Sequence, residues 1–380
     1  MLTLRLRAVS PLLATIILIA IVLSAGLVVY AMLSGWMGIY SSMLSVQPTS
    51  VDLVIAGDKA LLSVSVKNTG NKPLAGIVVT GYDDNGKPFK LALSPAEPGQ
   101  ASGNTLVIPL GVSNIVLDAS GNNNHGTIYG ATWVDGIYGK ALSFDGVDDY
   151  AIVSPFSVYG WSGISICRWV KLPSYKPNTY WSKSFMIGDY WTDYPCFFHG
   201  YPNTNTVSGV TMWFVTRKPD GSPAGYNWGV NVLDTWVFVV DTFDLATRLR
   251  CGYLNGALKY SATIPSDYKT ILEWNPGTAR YPGLYKRFVI GASTWLGEFV
   301  NEVANEVRIY NRAFDDGEVS FSNANPGLPP TRGLVAWYPM DEGTNAPFSF
   351  TAGSSYALTI TAYSLDGSVV TQTIVAKAMA

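Results

Sequence analysis

The sequence predicts a mainly β protein: a long N-terminal α-helix, then an immunoglobulin-like β-sandwich, with a second β-sandwich inserted into it. Three observations lead there. The 380 residues include 37 Gly and 22 Pro, and turn clusters separate short runs of strand period. Apolar residues make up 48% and charged residues only 14%, against about 25% in an ordinary soluble protein. That balance excludes a mostly disordered chain. One apolar run near the start has the length of a helix. The net charge is −2 and no basic block stands out, so no nucleic-acid partner is expected. Three Cys and two His leave no zinc cluster and little acid–base machinery.

The N-terminal element comes first. Arg5 and Arg7 precede a stretch with no charged residue until Asp52, and Leu12 to Leu33 is almost continuously apolar. At a helical rise those residues span roughly 33 Å, about one bilayer core. A cleaved secretory signal has a shorter apolar region followed by a small-residue cleavage site, which this run lacks. A plain membrane anchor fits the length and the basic flank. The third reading is a leader cut before the apolar segment. RAVSPLLATIILIAIVLSAGLVVYAML, with Arg7-Ala8 and Ser10-Pro11, resembles the class III signal peptide and N-terminal helix of archaeal type IV pilins. The resemblance implies cleavage by a prepilin peptidase between Ala8 and Val9. It makes 1–8 a leader and 9–44 a polymerisation helix carrying Pro11, Ile16, Ile19, Leu23, Gly26 and Tyr30. Such a helix waits in the membrane and then packs with copies of itself into a helical filament. An acid five residues into the mature chain, usual in bacterial relatives, is absent.

Next come the strands. VDLVIA (51–56), LLSVSV (61–66) and GIVVTGY (76–82) alternate between turn clusters such as Asp83-Asp84-Asn85-Gly86. They are too few to close a sandwich of about seven strands. The missing ones stand at the other end, where residues 347–379 alternate cleanly around an Asp366-Gly367 hairpin signal. One discontinuous β-domain, 45–111 with 344–380, is therefore expected around an insert of residues 112–343.

The insert carries a second resemblance. Asp118-Ala119-Ser120-Gly121, Asn124-His125-Gly126, Trp133, Gly139-Lys140-Ala141-Leu142 and Phe144-Asp145-Gly146-Val147-Asp148-Asp149-Tyr150 occur in the order of a laminin G-like, concanavalin A-like jelly-roll domain. GISICRWVKLP (163–173), 235–259 with its Asn255-Gly256 turn, and 290–319 are similar to that family's core, paired and closing strands. The family's opening strand, of the form GLVAWYPMDEG, here stands last, at 333–343. The order is that of a circular permutation, which brings the two ends of the domain together as grafting into a host loop requires. A second, partial repeat starting at 333 is the competing reading, with little room to continue.

No catalytic set is legible, and no enzyme is expected. His125 lies in a loop signature and reads as a structural hydrogen-bonder; neither it nor His199 belongs to a hydrolase motif. Calcium is the candidate cofactor, with Asp118, Asn122 and Asn124 offering hard oxygens along one loop. The alternative is a polar loop bonding its own backbone. Asn305 stands where the family usually has an Asp, which weakens an ion site at the closing strand. Trp181, Trp191, Tyr194 and Trp228 are the glycan-stacking candidates within an aromatic-rich stretch, with core packing as the alternative use. Cys167 reads as a buried core residue, while Cys196 and Cys251 are left open as a disulfide pair.

The expected function is a structural subunit of an extracellular archaeal pilus, displaying a lectin-like domain for adhesion or glycan binding. The alternative is a membrane-anchored, monomeric glycan-binding surface protein. The partners implied are copies of the chain, the prepilin peptidase and assembly machinery, the membrane before assembly, and surface glycans.

Overall fold

The computed structural model describes residues 43–153, 157–173, 182–188, 196–201, 234–268, 270–273 and 287–380, with short strand pairs between 210 and 230 and the single positions 22, 24 and 29. Two β-sandwiches share one chain. The host sandwich starts with β1 (Val46–Ala56), β2 (Lys59–Asn68), β3 (Gly76–Tyr82), β4 (Pro88–Leu93) and β5 (Ala101–Pro109). The chain then builds the insert from β6 (Ile115–Val116), β7 (Gly126–Tyr129), β8 (Thr132–Asp135), β9 (Lys140–Asp145), β10 (Tyr150–Val153), β11 (Gly163–Lys171), β12 (Ser182–Gly188) and β13 (Cys196–Tyr201). Two small pairs follow: β14 (Val210–Thr211) with β17 (Gly229–Val230), and β15 (Thr216–Arg217) with β16 (Pro223–Ala224). The insert ends with β18 (Val237–Asp244), β19 (Leu249–Leu254), β20 (Ala257–Thr263), β21 (Phe288–Ile290), β22 (Asn301–Tyr310), helix α1 (Asp316–Ala324) and β23 (Leu334–Tyr338). β24 (Ser355–Tyr363) and β25 (Val369–Met379) return to the host.

The host's seven strands run in the order β4-β3-β24-β25-β1-β2-β5. The two late strands close what the first five leave open: β24 pairs with β3 from Thr359↔Thr80 to Tyr363↔Gly76, and β25 joins β1 through the parallel pairs Leu53↔Ala378 and Val54↔Met379. Alternation fills the core. Leu62, Val64 and Val66 of β2 face Leu91, Leu358 and Ile360, all nearly or fully buried.

The insert stacks a six-stranded sheet, β13-β12-β21-β10-β7-β6, on an eight-stranded one in which β20-β19-β18-β11-β22-β9-β8 run in order and β23, paired with β22, is the eighth strand. One edge of β22 pairs with β11. The other is shared: β9 takes Asn301–Ala304 and β23 takes Val307–Tyr310. Asn305 fills the gap. Its Nδ2 donates to the Lys140 and Pro339 carbonyls (2.8 and 2.7 Å) and its Oδ1 accepts from Tyr138 N–H (3.2 Å). An Asp here could not donate to either carbonyl. β23 therefore belongs to the insert's sheet. Ala336 and Tyr338 point into its core, and Trp337 points out towards the host.

The outer face of that eight-stranded sheet, with α1, packs on the outer face of the host's β4-β3-β24 layer. Phe321 and Trp337 meet Val78, Ala92 and Tyr363, and Tyr363 stacks on Phe321 at 5.8 Å. α1 begins in a capping box: Asp315 Oδ1 accepts from Glu318 N–H, and Glu318 Oε2 accepts from Asp315 N–H. The expectation of closing strand across 290–319 is corrected here, since the strand ends at Tyr310 and Asp315-x-x-Glu318 starts a helix.

The expected fold class is also corrected. The described structure is mainly β; apart from the single helical positions Val22, Ser24 and Val29 its helical element is the short α1, and no helix among the described residues is long and apolar enough to cross a membrane. The long N-terminal α-helix is not part of it. Of the apolar run only Val22, Ser24 and Val29 are described, and Val22 and Val29 are exposed. Pro11, Ile16, Ile19, Leu23, Gly26 and Tyr30, with Ala8 and Val9, lie outside the described residues.

Residues 115–117 serve both cores. Ile115 and Leu117 point into the host, Val116 into the insert. Leu117→Ala should therefore destabilise the host by about 2–5 kcal/mol, as large-to-small core changes do. Hydrogen exchange should rise in β1, β2 and β5 and stay low in β11 and β18. Equal loosening of both sandwiches would contradict this division.

Candidate functional site

Three polar sites can be built from the described residues. The first is the loop 118–125, expected above to offer calcium ligands. Asp118 is fully buried, and its carboxylate already has four donors. Oδ1 accepts from the N–H groups of Ser120 and Trp337, and Oδ2 from Ser120 Oγ and Asn124 N–H, each at 2.9 Å. Asn122 and Asn124 turn their amide nitrogens, not their oxygens, to the Val335 carbonyl (3.0 and 2.9 Å). The loop thus clamps β23 with its own hydrogen bonds. His125 accepts from Asp118 N–H at Nδ1 (3.0 Å), so Nε2–H donates to Val107 O of host strand β5 (2.7 Å). That is the bonding role read from the sequence. Gly121 (φ +82°) is needed beside it, because a Cβ there would lie 2.1 Å from Asn104 Nδ2.

The second site lies between the insert's sheets. Arg168 of β11 donates through Nη1 to Asp241 Oδ2 of β18 (2.9 Å) and through Nε to Ser184 Oγ of β12 (3.2 Å). Ser184 Oγ donates to Glu302 Oε1 of β22 (2.7 Å), and His199 of β13 meets Asp241 Oδ2 through Nδ1 (3.0 Å). All five side chains are buried. Burial, then the Arg168 charge, pull the His199 pKa down to about 4, against Asp241. The ring is neutral, and its Nδ1–H is the donor. Burial pushes Asp241 up, but His199 and Arg168 outweigh it and hold the carboxylate below its usual range. Sequence reading missed this network, because its members come from five strands with no shared motif.

The third site is on the outer face of the six-stranded sheet. Ile128 and Ala151 point inward, so their neighbours Tyr129 and Tyr150 point outward. They are cross-strand partners, stacked at 4.6 Å, with Phe299 at 6.2 Å from Tyr150. Beside them Asp145, Asp148 and Asp149 bring carboxylate oxygens within 4.8 Å of one another. The turn explains the convergence: Asp145 Oδ1 accepts from Val147 N–H (2.7 Å), and Asp149 Oδ2 accepts from Asp145 N–H (3.0 Å). Burial pushes the Asp149 carboxyl up. Gly130 (φ +77°) makes room, since a Cβ would lie 1.9 Å from Asp149 Oδ1.

The stacking candidates Trp181, Trp191, Tyr194 and Trp228 lie outside the described residues. The three cysteines are buried and form no disulfide, Cys196 packing with Met186 and Phe198 and Cys251 with Cys167 and Tyr253. Burial pushes the Cys167 thiol up to about 12.

Comparison with known proteins places the insert. Residues 145–320 match the family model of the concanavalin A-like lectin/glucanases superfamily. Among solved structures, the chain is similar to domain 4 of an extracellular GH43 arabinanase from Geobacillus stearothermophilus, in complex with arabinotriose. Identity there is 20% and the TM-score 0.37, covering 53% of this chain and 88% of that one. It is also similar to the binding domain of botulinum neurotoxin serotype G, at 13% identity and a TM-score of 0.41, covering 65% of this chain and 50% of that one. No curated protein matches the chain.

His199 gives a pH signature. The unfolded ring protonates near 6.5 and the folded one only near 4, so the unfolded state binds more protons between those values. Stability should fall as pH drops through that window, by at most about 1.4 kcal/mol per pH unit from this group. Asp341 and Glu342, pushed up to about 6 and about 7 by burial, act in the opposite sense. The wild-type minus His199→Gln difference in urea melts from pH 7 to 4 isolates the His199 contribution. A flat difference would refute it.

Proposed function

We propose that this is a cell-surface protein whose insert binds glycan through the outer face of its six-stranded sheet, as a binding module without hydrolase activity. The observation that carries the reading is the Tyr129–Tyr150 stack, exposed at Tyr129 and half-buried at Tyr150, beside three converging carboxylates. Aromatic faces suit the apolar faces of sugar rings, and carboxylates suit sugar hydroxyls or a calcium ion that ligates them. The superfamily match over residues 145–320 supports the same class of ligand. Tyr129 is exposed on this face. Calcium, in this reading, sits on Asp145, Asp148 and Asp149. Asp241 and Glu302, buried and hydrogen-bonded between the sheets, are poorly placed as a glycosidase pair. On an array of plant, microbial and animal polysaccharides, Tyr129→Ala/Tyr150→Ala should weaken the best hit at least tenfold without lowering the melting temperature. EDTA should weaken it too. Unchanged binding by the double variant would move the site elsewhere.

The same reading extends to assembly. The apolar segment 12–33 and the Arg7-Ala8-Val9 junction support a pilus subunit cut after Ala8 and polymerised into an extracellular filament. A host sandwich whose closing strands come after the insert, and a family-opening strand placed last in the insert, support a permuted lectin-like domain grafted into that subunit. N-terminal sequencing of surface filaments should read from Val9. An intact Met1 in a membrane-bound monomer would favour the anchored surface protein instead.

A further inference from the structure

Between the two sandwiches, Lys90 of β4 and Asp341, just after β23, meet directly: Nζ contacts Oδ2. Their side chains are only 7% and 11% exposed. The rings of Tyr138 and Trp337 wall Nζ at 4.8 and 5.6 Å from their centroids. The other carboxylate oxygen, Oδ1, accepts from Lys140 N–H at 3.1 Å. Glu306 is fully buried beside the pair, and its charge acts on both members. Glu306 Oε2 accepts from Trp337 Nε1 (2.8 Å) and Arg308 Nη2 (2.9 Å), while Oε1 has no hydrogen-bond partner. Glu306 also sits at φ +56°, a left-handed conformation that non-glycine residues seldom hold.

A nucleophilic amine, a carboxyl with one oxygen polarised by a backbone donor, and a buried carboxylate with a free oxygen are the components of amide formation. We propose that Lys90 and Asp341 condense into an intramolecular isopeptide bond, Nζ to Cγ, with Glu306 relaying protons and one water released. The balance closes without any co-reactant. The Lys90 ammonium passes a proton to Asp341 Oδ2, which gives a neutral amine and a neutral carboxylic acid. Nζ attacks Cγ, and the developing oxyanion at Oδ1 is held by the Lys140 N–H. Glu306 takes a proton from the attacking nitrogen and returns it to the Oδ2 hydroxyl, which leaves as water while the Oδ1 carbonyl re-forms. Glu306 ends as it began, paired with Arg308.

The environment favours this course. Burial pulls the Lys90 ammonium down, but Glu306 and Asp341 outweigh it, so the resting pair is charged. Burial pushes the Asp341 carboxyl up to about 6, which eases the first proton transfer. A buried ion pair keeps a desolvation penalty that a neutral amide does not. A cleft lined by Pro88, Phe89, Leu117, Ala119, Pro339 and Glu342 lies beside the pair and gives the water an exit. The bond would tie host to insert across 251 positions of sequence. The proposal is independent of the glycan reading.

The test is mass spectrometry of the full-length protein. After digestion, wild type should yield one branched peptide containing both Lys90 and Asp341, lighter than its two parts by one water. The intact chain should run faster on a denaturing gel than Lys90→Met. Asp341→Asn should give a linked peptide of the same mass, because it loses ammonia in place of water. Glu306→Gln, checked for folding by its melting curve, should leave the two peptides separate. Separate wild-type peptides at full mass would overturn the proposal and leave an ion pair. Undiminished linkage in Glu306→Gln would overturn the relay role.

Discussion

An inserted domain must leave its host and return to it at neighbouring points, and here one buried carboxylate secures that closure. Asp118, nine residues beyond the end of host strand β5 at Pro109, accepts the backbone N–H of Trp337 on the insert's last strand. Leu117 N–H donates to Glu342 Oε1 and Asn114 N–H to Asn345 O, so the outgoing and returning segments run together. β23 can pair with the free half of β22 only because this junction delivers it there. The host depends on the same closure, since β24 and β25 supply the middle of its sheet order.

Polar chemistry is concentrated in two buried places, for different reasons. Between the insert's sheets, Arg168 and His199 both bond Asp241 within a single module, and Ser184 connects them to Glu302. Between the modules, Lys90, Asp341, Glu306 and Arg308 carry two charges of each sign on surfaces that would be wet if the sandwiches separated. Burying them together is tolerable because the set is neutral and the pairs are in contact. Apolar residues around them, Val78, Ala92, Phe321 and Tyr363, supply the dry contact.

Much of this was legible in the sequence because strand alternation and turn residues act locally. The runs at 61–66 and 76–82 fall within β2 and β3, and the Asp366-Gly367 turn joins β24 to β25. The GLVAWYP segment is recognisable as a strand by its own pattern, and it pairs with β22 within the insert, to which the sequence reading assigned it. Three things were not legible. The capping box at Asp315–Glu318 has a local signature, but the strand reading of 290–319 ran over it. The orientation of an Asn amide is set by distant carbonyls, so Asn122 and Asn124 looked like oxygen donors and instead present nitrogen. The contact of Lys90 with Asp341 depends on how two sandwiches dock, which no window of sequence encodes.

The pairing of β1 has a mechanical consequence. β1 enters the host at Val46 and lies antiparallel to β2 along its whole length, from Val46↔Asn68 to Ala56↔Lys59. β5 runs in the same direction as β1 and exits to the insert at the opposite pole, so tension between Val46 and the insert pulls along the strands. Hydrogen bonds perpendicular to such a pull are loaded together, in shear, and must fail together; a pull across the strands would open them one at a time. The β1–β25 seam has two paired positions and would add little resistance. Under tension between those two poles, the host sandwich behaves as a stiff link whose strength resides in the β1–β2–β5 layer.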